Sequence, residues 1–147
     1  MTRSIRLRRA LASALILTAI LTLSPVSAAN ASTTREEARY VYTSDRICDI
    51  PWKDGAKQVK RLIRCSAHHW HVNVEKALAI ANRESNFRPR AYNSWSCASG
   101  IYQHLCNYWP DRAYRFGFKG RSAFNGRANI IVTMKMVSRH GWSPWGG

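Results

Sequence analysis

Residues 73–89 read NVEKALAIANRESNFRP, and this stretch decides the fold because it carries the clearest helix signal in the chain. Asn73 is a good N-cap, and alanine, leucine and isoleucine, which are compatible with a helix, fill the middle of the run. Pro89 disfavours a helical conformation at the residue before it. The sequence therefore predicts a helix that begins after Asn73 and ends between Glu84 and Asn86.

A carboxylate lies at the end of the apolar face of this helix. A face of the helix is shared by residues at three- and four-residue spacing: Val74, Ala77, Ile80 or Ala81, and Glu84. Partial burial disfavours the ionised form of a carboxyl group, and a group that keeps its proton near neutral pH is what general acid catalysis needs. Glu84 is therefore a candidate catalytic acid. The alternative is an ordinary ion pair at a helix end, with Arg83, Arg88 or Arg90 as the partner.

Three more helices are predicted, and they make the chain mainly α-helical. Residues 55–67 carry apolar residues at helical spacing, residues 107–116 form a short helix opened by a proline, and Asn125 caps a last helix that ends near His140. No long alternating pattern typical of a strand is present. The length of 147 residues is that of one domain.

Residues 1–31 have the pattern of a secretory signal peptide. Four arginines precede an apolar run from Ala10 to Leu23, and two small-residue cleavage patterns end at Ala28 and Ala31. The apolar run is shorter than the roughly 20 residues that a membrane-spanning helix needs, although a retained anchor is the alternative. We expect cleavage after residue 28 or 31 and a secreted protein that is extracellular or associated with the cell wall.

All four cysteines follow this segment, and an even number in a small exported chain indicates two disulfides. Three pairings are possible, and we favour Cys48–Cys65 and Cys97–Cys106 because each closes a short local loop. Loop-closure entropy assigns about 3 kcal/mol of stabilisation to each. None of the spacings is a CxxC pair, so a zinc site is not predicted.

Three histidines, at positions 68, 69 and 71, lie close to Glu75 and raise the question of a metal site. Their spacing matches no known metal-binding pattern, and such a group is more typical of a helix end or a surface. We therefore predict no metal ligand here, and the sequence gives no sign of a cofactor.

The chain is strongly basic, with 23 lysines and arginines against 8 acidic residues. Without the four arginines of the predicted signal peptide, 19 basic residues remain and the net charge is 19 − 8 = +11. Such a charge favours solubility or an anionic partner, such as a wall polymer or an anionic lipid. Nucleic acid is not expected, because the basic residues are spread along the chain and form no recognition motif.

A second motif, CASGIYQHLC, occupies residues 97–106 and places a glycine turn between two cysteines. Gly100 permits a close approach of the backbone, and Tyr102 and Gln103 carry groups that stack on or hydrogen-bond to a sugar.

Together these features give the chain a family likeness. The run Glu-Ser-x-Phe-x-Pro-x-Ala from Glu84, the Gly-x-x-Gln run from Gly100, the segment 108–110 and the helix with Asn129 occur in that order. The sequence resembles the soluble lytic transglycosylase family of the lysozyme-like superfamily, and its small secreted actinobacterial members in particular. The resemblance covers about residues 72–145. It implies a lysozyme-like helical domain with a small irregular or β region, stabilised by disulfides.

The resemblance also implies a domain organisation and site residues. After the signal peptide, residues 32–57 form an N-terminal extension and residues 58–147 a transglycosylase-like catalytic domain. Glu84 matches the single catalytic glutamate of the family. Substrate-binding positions are implied for Ser85, Gly100, Tyr102, Gln103 and Asn129. Tyr102 stands where methionine or phenylalanine is more usual, and Asn129 is as well suited to a structural role at the helix start.

The implied substrate is the peptidoglycan glycan strand, and the implied reaction is a lyase reaction at its MurNAc–GlcNAc β-1,4 bond that leaves a 1,6-anhydromuramic end. A protein with this activity is expected to be a monomer, and its charge would add contact with anionic wall polymers. Most glycoside hydrolases use two carboxylates, and after Glu84 the chain has only Asp111. The alternatives are a lysozyme-type hydrolase that uses Asp111 or Glu75, and a non-catalytic cationic wall-binding protein.

Overall fold

The computed structural model describes residues 47–146, so the predicted signal peptide and residues 32–46 of the predicted extension lie outside it. In this range the chain forms four α-helices and one 3₁₀ turn, and these are α1 (Ala56–His69), α2 (Val74–Ser85), α3 (Trp109–Arg115), α4 (Gly126–His140) and the 3₁₀ turn Ser143–Trp145. The described residues contain no β-strand. The β-type pairing in the described range consists of two isolated bridges, from Tyr92 to Ser99 and from Ser99 to His104. The predicted mainly helical class is confirmed.

Asparagine side chains begin the two helices on which the site depends. Asn73 accepts a hydrogen bond from the backbone N–H of Lys76 (2.9 Å), and Asn125 accepts one from the N–H of Ala128 (3.1 Å). Each bond satisfies an N–H that has no partner inside the helix. Asn86 adopts the left-handed conformation and ends α2 at Ser85, as the sequence predicts.

Helix α4 is the centre of the domain. It packs against α1 and α3, and its residues 128–137 are all buried. A helix enclosed by neighbours on every side shows no polar face. Its buried polar residues are hydrogen-bonded: for example, the Lys135 ammonium group donates to the Phe116 carbonyl (3.1 Å) and lies 5.6 Å from the Trp70 ring centroid.

Both favoured disulfides are formed, Cys48–Cys65 and Cys97–Cys106. The first holds residues 47–55 against α1, and Ile50 and Trp52 of that segment pack on the core. The Arg127 guanidinium adds hydrogen bonds to the carbonyls of Ile47 and Cys48. The boundary that the sequence placed at residue 58 falls inside α1, because this helix already begins at Ala56.

Among residues 47–146, no helix is both long enough and apolar enough to cross a lipid bilayer.

Candidate active site

Glu84 lies in the last turn of α2 and is partly buried, with 24% of its side chain exposed. The Nε and Nη2 atoms of Arg83 both donate to Glu84 Oε1, at 3.0 and 2.7 Å. The helix-end ion pair that the sequence allowed as an alternative is therefore formed. No other described residue donates a hydrogen bond to this carboxylate, so Oε2 has no hydrogen-bond partner among the described residues.

The Arg83 guanidinium also joins Glu84 to the end of the chain. Its Nη2 donates to the Trp145 carbonyl (2.7 Å), and the indole N–H of Trp145 donates to the Tyr102 carbonyl (2.8 Å). Helix α2, the 3₁₀ turn and the loop 99–104 therefore meet beside the carboxylate. The two sequence motifs, which are separated by 16 residues, are brought together in this way.

Ser85 fixes the same junction from inside the core. Its hydroxyl lies 2.8 Å from the Ile101 carbonyl and 3.1 Å from the Ala81 carbonyl, and the residue is almost completely buried. A side chain in this place has no surface for a ligand. Ser85 was predicted to bind substrate; in the structure it instead positions the helix end against the loop.

The loop 99–104 is packed too tightly for any side chain at Gly100. A Cβ atom there would lie 2.2 Å from the Ala123 carbonyl oxygen and 2.3 Å from Nδ2 of Asn129, and φ is +81°. Only glycine adopts this backbone without strain and leaves that space. The predicted close approach is correct, but its partners are protein atoms of the core.

Asn129 is the side chain that holds this loop. Its Oδ1 accepts the N–H of Tyr102 (2.9 Å), and its Nδ2 donates to the carbonyls of Ala123 (2.9 Å) and Ser99 (3.3 Å). The side chain is fully buried, so these bonds satisfy groups that water does not reach. Of the two roles left open by the sequence, the structural one fits this geometry.

Tyr102 corrects the sequence interpretation. The side chain is fully buried, and its hydroxyl donates to the Ala77 carbonyl (3.0 Å). Burial raises the pKa of this phenol well above its usual value. Its ring packs near Trp142 and Trp145, with centroids 6.2 Å away in both cases. A ring enclosed in this way cannot stack on a sugar, so Tyr102 is a core residue at this motif position.

Gln103 is the predicted binding residue that reaches the surface. Its amide Nε2 donates to the carbonyls of Gly100 (2.9 Å) and Ala91 (3.2 Å), and the residue is held in a left-handed conformation with φ +48°. This strained backbone presents the side chain at the edge of an open pocket of about 240 Å³. The pocket is lined by Gln103, Leu105, Tyr108, Arg112, Pro144 and Trp145.

A buried histidine behind this pocket was not predicted. His104 lies with Nε2 2.8 Å from the Thr133 hydroxyl and Nδ1 2.9 Å from Nη1 of Arg112. The Thr133 hydroxyl donates to the Asn129 carbonyl, so the network assigns the proton to Nε2 and leaves Nδ1 to accept from Arg112. Burial, aided by the Arg112 charge, lowers the pKa of His104 to about 3, and the imidazole is therefore neutral.

The other candidate carboxylates lie in solvent. Asp111 is 57% exposed and pairs with Arg115 one turn along α3, at 2.9 Å. Glu75 is exposed in the first turn of α2, and nine residues of helix put it roughly 13 Å from Glu84 along the axis. Paired carboxylates in glycosidases are about 5 to 10 Å apart. Helix α2 therefore does not present Glu75 as a partner for Glu84.

Within residues 47–146 no group of three or more histidine, cysteine, aspartate or glutamate side chains is arranged to hold a metal ion. His68, His69 and His71 are exposed at the end of α1 and just beyond it.

Comparison of the chain with protein-family models, with curated proteins and with solved structures finds no match.

Proposed function

We propose that the protein is a secreted peptidoglycan lytic transglycosylase of lysozyme-like fold, with Glu84 as its general acid and base. The observation that carries the proposal is the meeting of two motifs at one place. Partly exposed Glu84 ends α2, and the Ser85–Ile101 hydrogen bond holds that end against the loop that presents Gln103. The family resemblance implies that the two motifs form one site. Their separation along the sequence did not by itself require them to meet.

The reaction needs one carboxyl group that first gives and then takes a proton. Protonated Glu84 donates its proton to the glycosidic oxygen between N-acetylmuramic acid and N-acetylglucosamine, and the bond to the muramic anomeric carbon breaks. The resulting carboxylate accepts the proton of the muramic 6-hydroxyl as that oxygen attacks the same carbon. The products are a 1,6-anhydromuramic end and a free 4-hydroxyl, with Glu84 reprotonated and no water consumed.

The state of the two other candidate carboxylates supports this route over hydrolysis. A retaining or inverting hydrolase uses a second carboxylate near the first. In the described part of the chain, Asp111 is paired with Arg115 and Glu75 lies at the far end of α2. The disulfides and the basic charge support an extracellular place of action on an anionic polymer.

Product analysis on purified peptidoglycan tests the proposal. We expect fragments with anhydromuramic ends, each lighter by one water than the hydrolysis product and inert to borohydride reduction. Reducing ends as the main product would reject the transglycosylase reaction. Glu84→Gln should fold and release no fragments, whereas Asp111→Asn, which also removes one carboxylate charge, should retain wild-type turnover. A large loss of turnover in Asp111→Asn would restore the two-carboxylate hydrolase.

One observation favours a second candidate, a non-catalytic cationic protein that binds the wall. Trp95 is 98% exposed on a turn in which the Asn93 side chain accepts two backbone N–H groups. An exposed tryptophan held on a basic domain is suited to contact a polymer or a lipid surface. Wall lysis that is undiminished in Glu84→Gln and lost in Trp95→Ala would favour this candidate.

A further inference from the structure

Arg112 is a half-buried cation, and among the described residues no carboxylate forms an ion pair with it, although the nearby Asp111 charge acts on it. It lines the open pocket beside Gln103, and its Nη1 donates to the neutral His104 imidazole. Its sequence neighbour Asp111 is instead paired with Arg115. The guanidinium also lies 5.2 Å from the Tyr108 ring centroid, a cation–π contact that supplies no carboxylate.

The surroundings hold this guanidinium in place. His104 is fixed by the Thr133 hydroxyl, which is itself bonded to the Asn129 carbonyl in the centre of α4. Desolvation lowers the pKa of Arg112, which is the cost of keeping its charge partly out of water. A guanidinium has several N–H donors in one plane, and His104 is the hydrogen-bond acceptor that the described residues give it. The remaining donors suit a carboxylate, which guanidinium groups bind in a bidentate manner.

We propose that the pocket at Arg112 is a carboxylate subsite that recognises the acidic group of the glycan strand. The inference rests on the proposed function, which brings a glycan strand to Gln103 on the rim of the same pocket. Muramic acid differs from glucosamine by its lactyl ether, and this ether ends in a carboxylate where the stem peptide has been removed. Where the peptide is present, the lactyl group is an amide and the peptide brings its own carboxylates. Both sources offer Arg112 the same chemical group.

The subsite gives the enzyme a basis for choosing between glycans. Chitin-type strands have no lactyl group, so they would leave Arg112 partly buried without an anion. Tyr108, Trp145 and Leu105 supply apolar surface for the sugar ring around the charge. The selectivity therefore lies in the charge, and the apolar residues contribute affinity for any sugar.

Binding to the inactive Glu84→Gln protein separates this proposal from catalysis. Affinities are measured by calorimetry for oligosaccharides of equal length: a chitooligosaccharide, a peptide-free GlcNAc–MurNAc strand, the same strand with its lactyl groups converted to primary amides, and a strand that carries stem peptides. We expect the acidic peptide-free strand to bind roughly tenfold more tightly than its amide. A preference for the peptide strand over the amide would assign the subsite to the peptide carboxylates. Equal affinity for all four oligosaccharides would overturn the proposed carboxylate subsite.

Matched variants in the Glu84→Gln background assign any preference to Arg112. Arg112→Gln should remove the roughly tenfold preference, and Arg112→Lys should retain part of it. Lys119→Gln removes the same charge from an exposed site beyond α3 and should leave the preference intact. If Lys119→Gln abolishes it as well, net charge explains the binding and the subsite is rejected. Circular dichroism checks that each variant is folded.

The outcomes for the two proposals are distinguishable. A wild-type protein that forms anhydromuramic ends but shows no preference for the acidic strand retains the proposed function and loses the subsite. A protein that cleaves nothing but shows an Arg112-dependent preference retains the subsite and loses the enzymatic function.

Discussion

The Ser85 hydroxyl lies 2.8 Å from the Ile101 carbonyl oxygen, and this contact joins the end of α2 to the loop that carries Gln103. Both groups are buried, so water cannot replace either one. The residue beside the candidate acid is therefore a connection between two motifs that are distant in the sequence. Its loss should affect both folding and the position of Glu84.

Ser85→Ala removes this hydrogen bond and leaves a buried carbonyl without it. We expect the free energy of unfolding, measured by urea denaturation, to fall by about 1 to 3 kcal/mol. Turnover on peptidoglycan, measured where the variant is still folded, should also fall. Ser138→Ala is the control, because Ser138 is exposed and its hydroxyl donates to the Lys135 carbonyl within the same helix. Wild-type stability and turnover in Ser85→Ala would contradict the connecting role.

Gly100→Ala tests the packing of the loop against α4. The new Cβ would meet the Ala123 carbonyl at 2.2 Å, so the variant should unfold at a much lower temperature or fail to fold. Gly120→Ala is the matched control: its φ is +74°, but no atom lies within 4 Å of the new Cβ, so only the backbone strain of roughly 1 kcal/mol applies. Equal changes in melting temperature would show that backbone conformation, and not packing, requires glycine at position 100.

These two sites show which parts of the structure could be predicted from the sequence. The starts of α2 and α4 follow from local groups, since the side chains of Asn73 and Asn125 accept hydrogen bonds from backbone N–H groups three residues ahead. The disulfide pairing follows from loop length. Such features depend on neighbours along the chain, and the sequence displays them directly.

The interior of the site depends on partners that are distant in the sequence. Asn129 binds Tyr102 across 27 residues, and His104 meets Thr133 across 29. The motif suggested a sugar-facing Tyr102, because a tyrosine beside a glycine turn has suitable chemistry. Which side of the turn faces the core is decided by α2 and the C-terminal tryptophans, and no local pattern reveals it.

His104 makes the stability of the fold depend on pH. Its pKa is about 3 in the folded state and about 6.5 when unfolded, so between these values the unfolded chain takes up a proton that the folded chain does not. The contribution of neutral His104 to the free energy of unfolding is therefore complete above about pH 6.5. It is lost as the pH falls toward 3, by at most about 1.4 kcal/mol per pH unit. Carboxylates also titrate in this range, so the measurement is the difference between wild type and His104→Gln.

We expect the unfolding free energy of His104→Gln, measured from pH 7.5 to pH 4, to decline less steeply than that of wild type. His140→Gln, at the exposed end of α4, should retain the wild-type slope. Parallel curves for wild type and His104→Gln would show that the imidazole takes up its proton without loss of the fold.

Arg83→Gln separates the position of Glu84, the proposed catalytic acid, from the stability of the fold. Arg83 is 57% exposed, so its ion pair with Glu84 should contribute at most about 1 kcal/mol to the free energy of unfolding. It nevertheless joins Glu84 Oε1 to the Trp145 carbonyl, and a carboxylate released from this link samples orientations that do not reach the scissile oxygen. We expect turnover to fall roughly tenfold. Arg61→Gln, on an exposed face of α1, is the control for charge. If both variants lose activity equally, the effect comes from weaker attraction to an anionic wall, and Arg83 does not position Glu84.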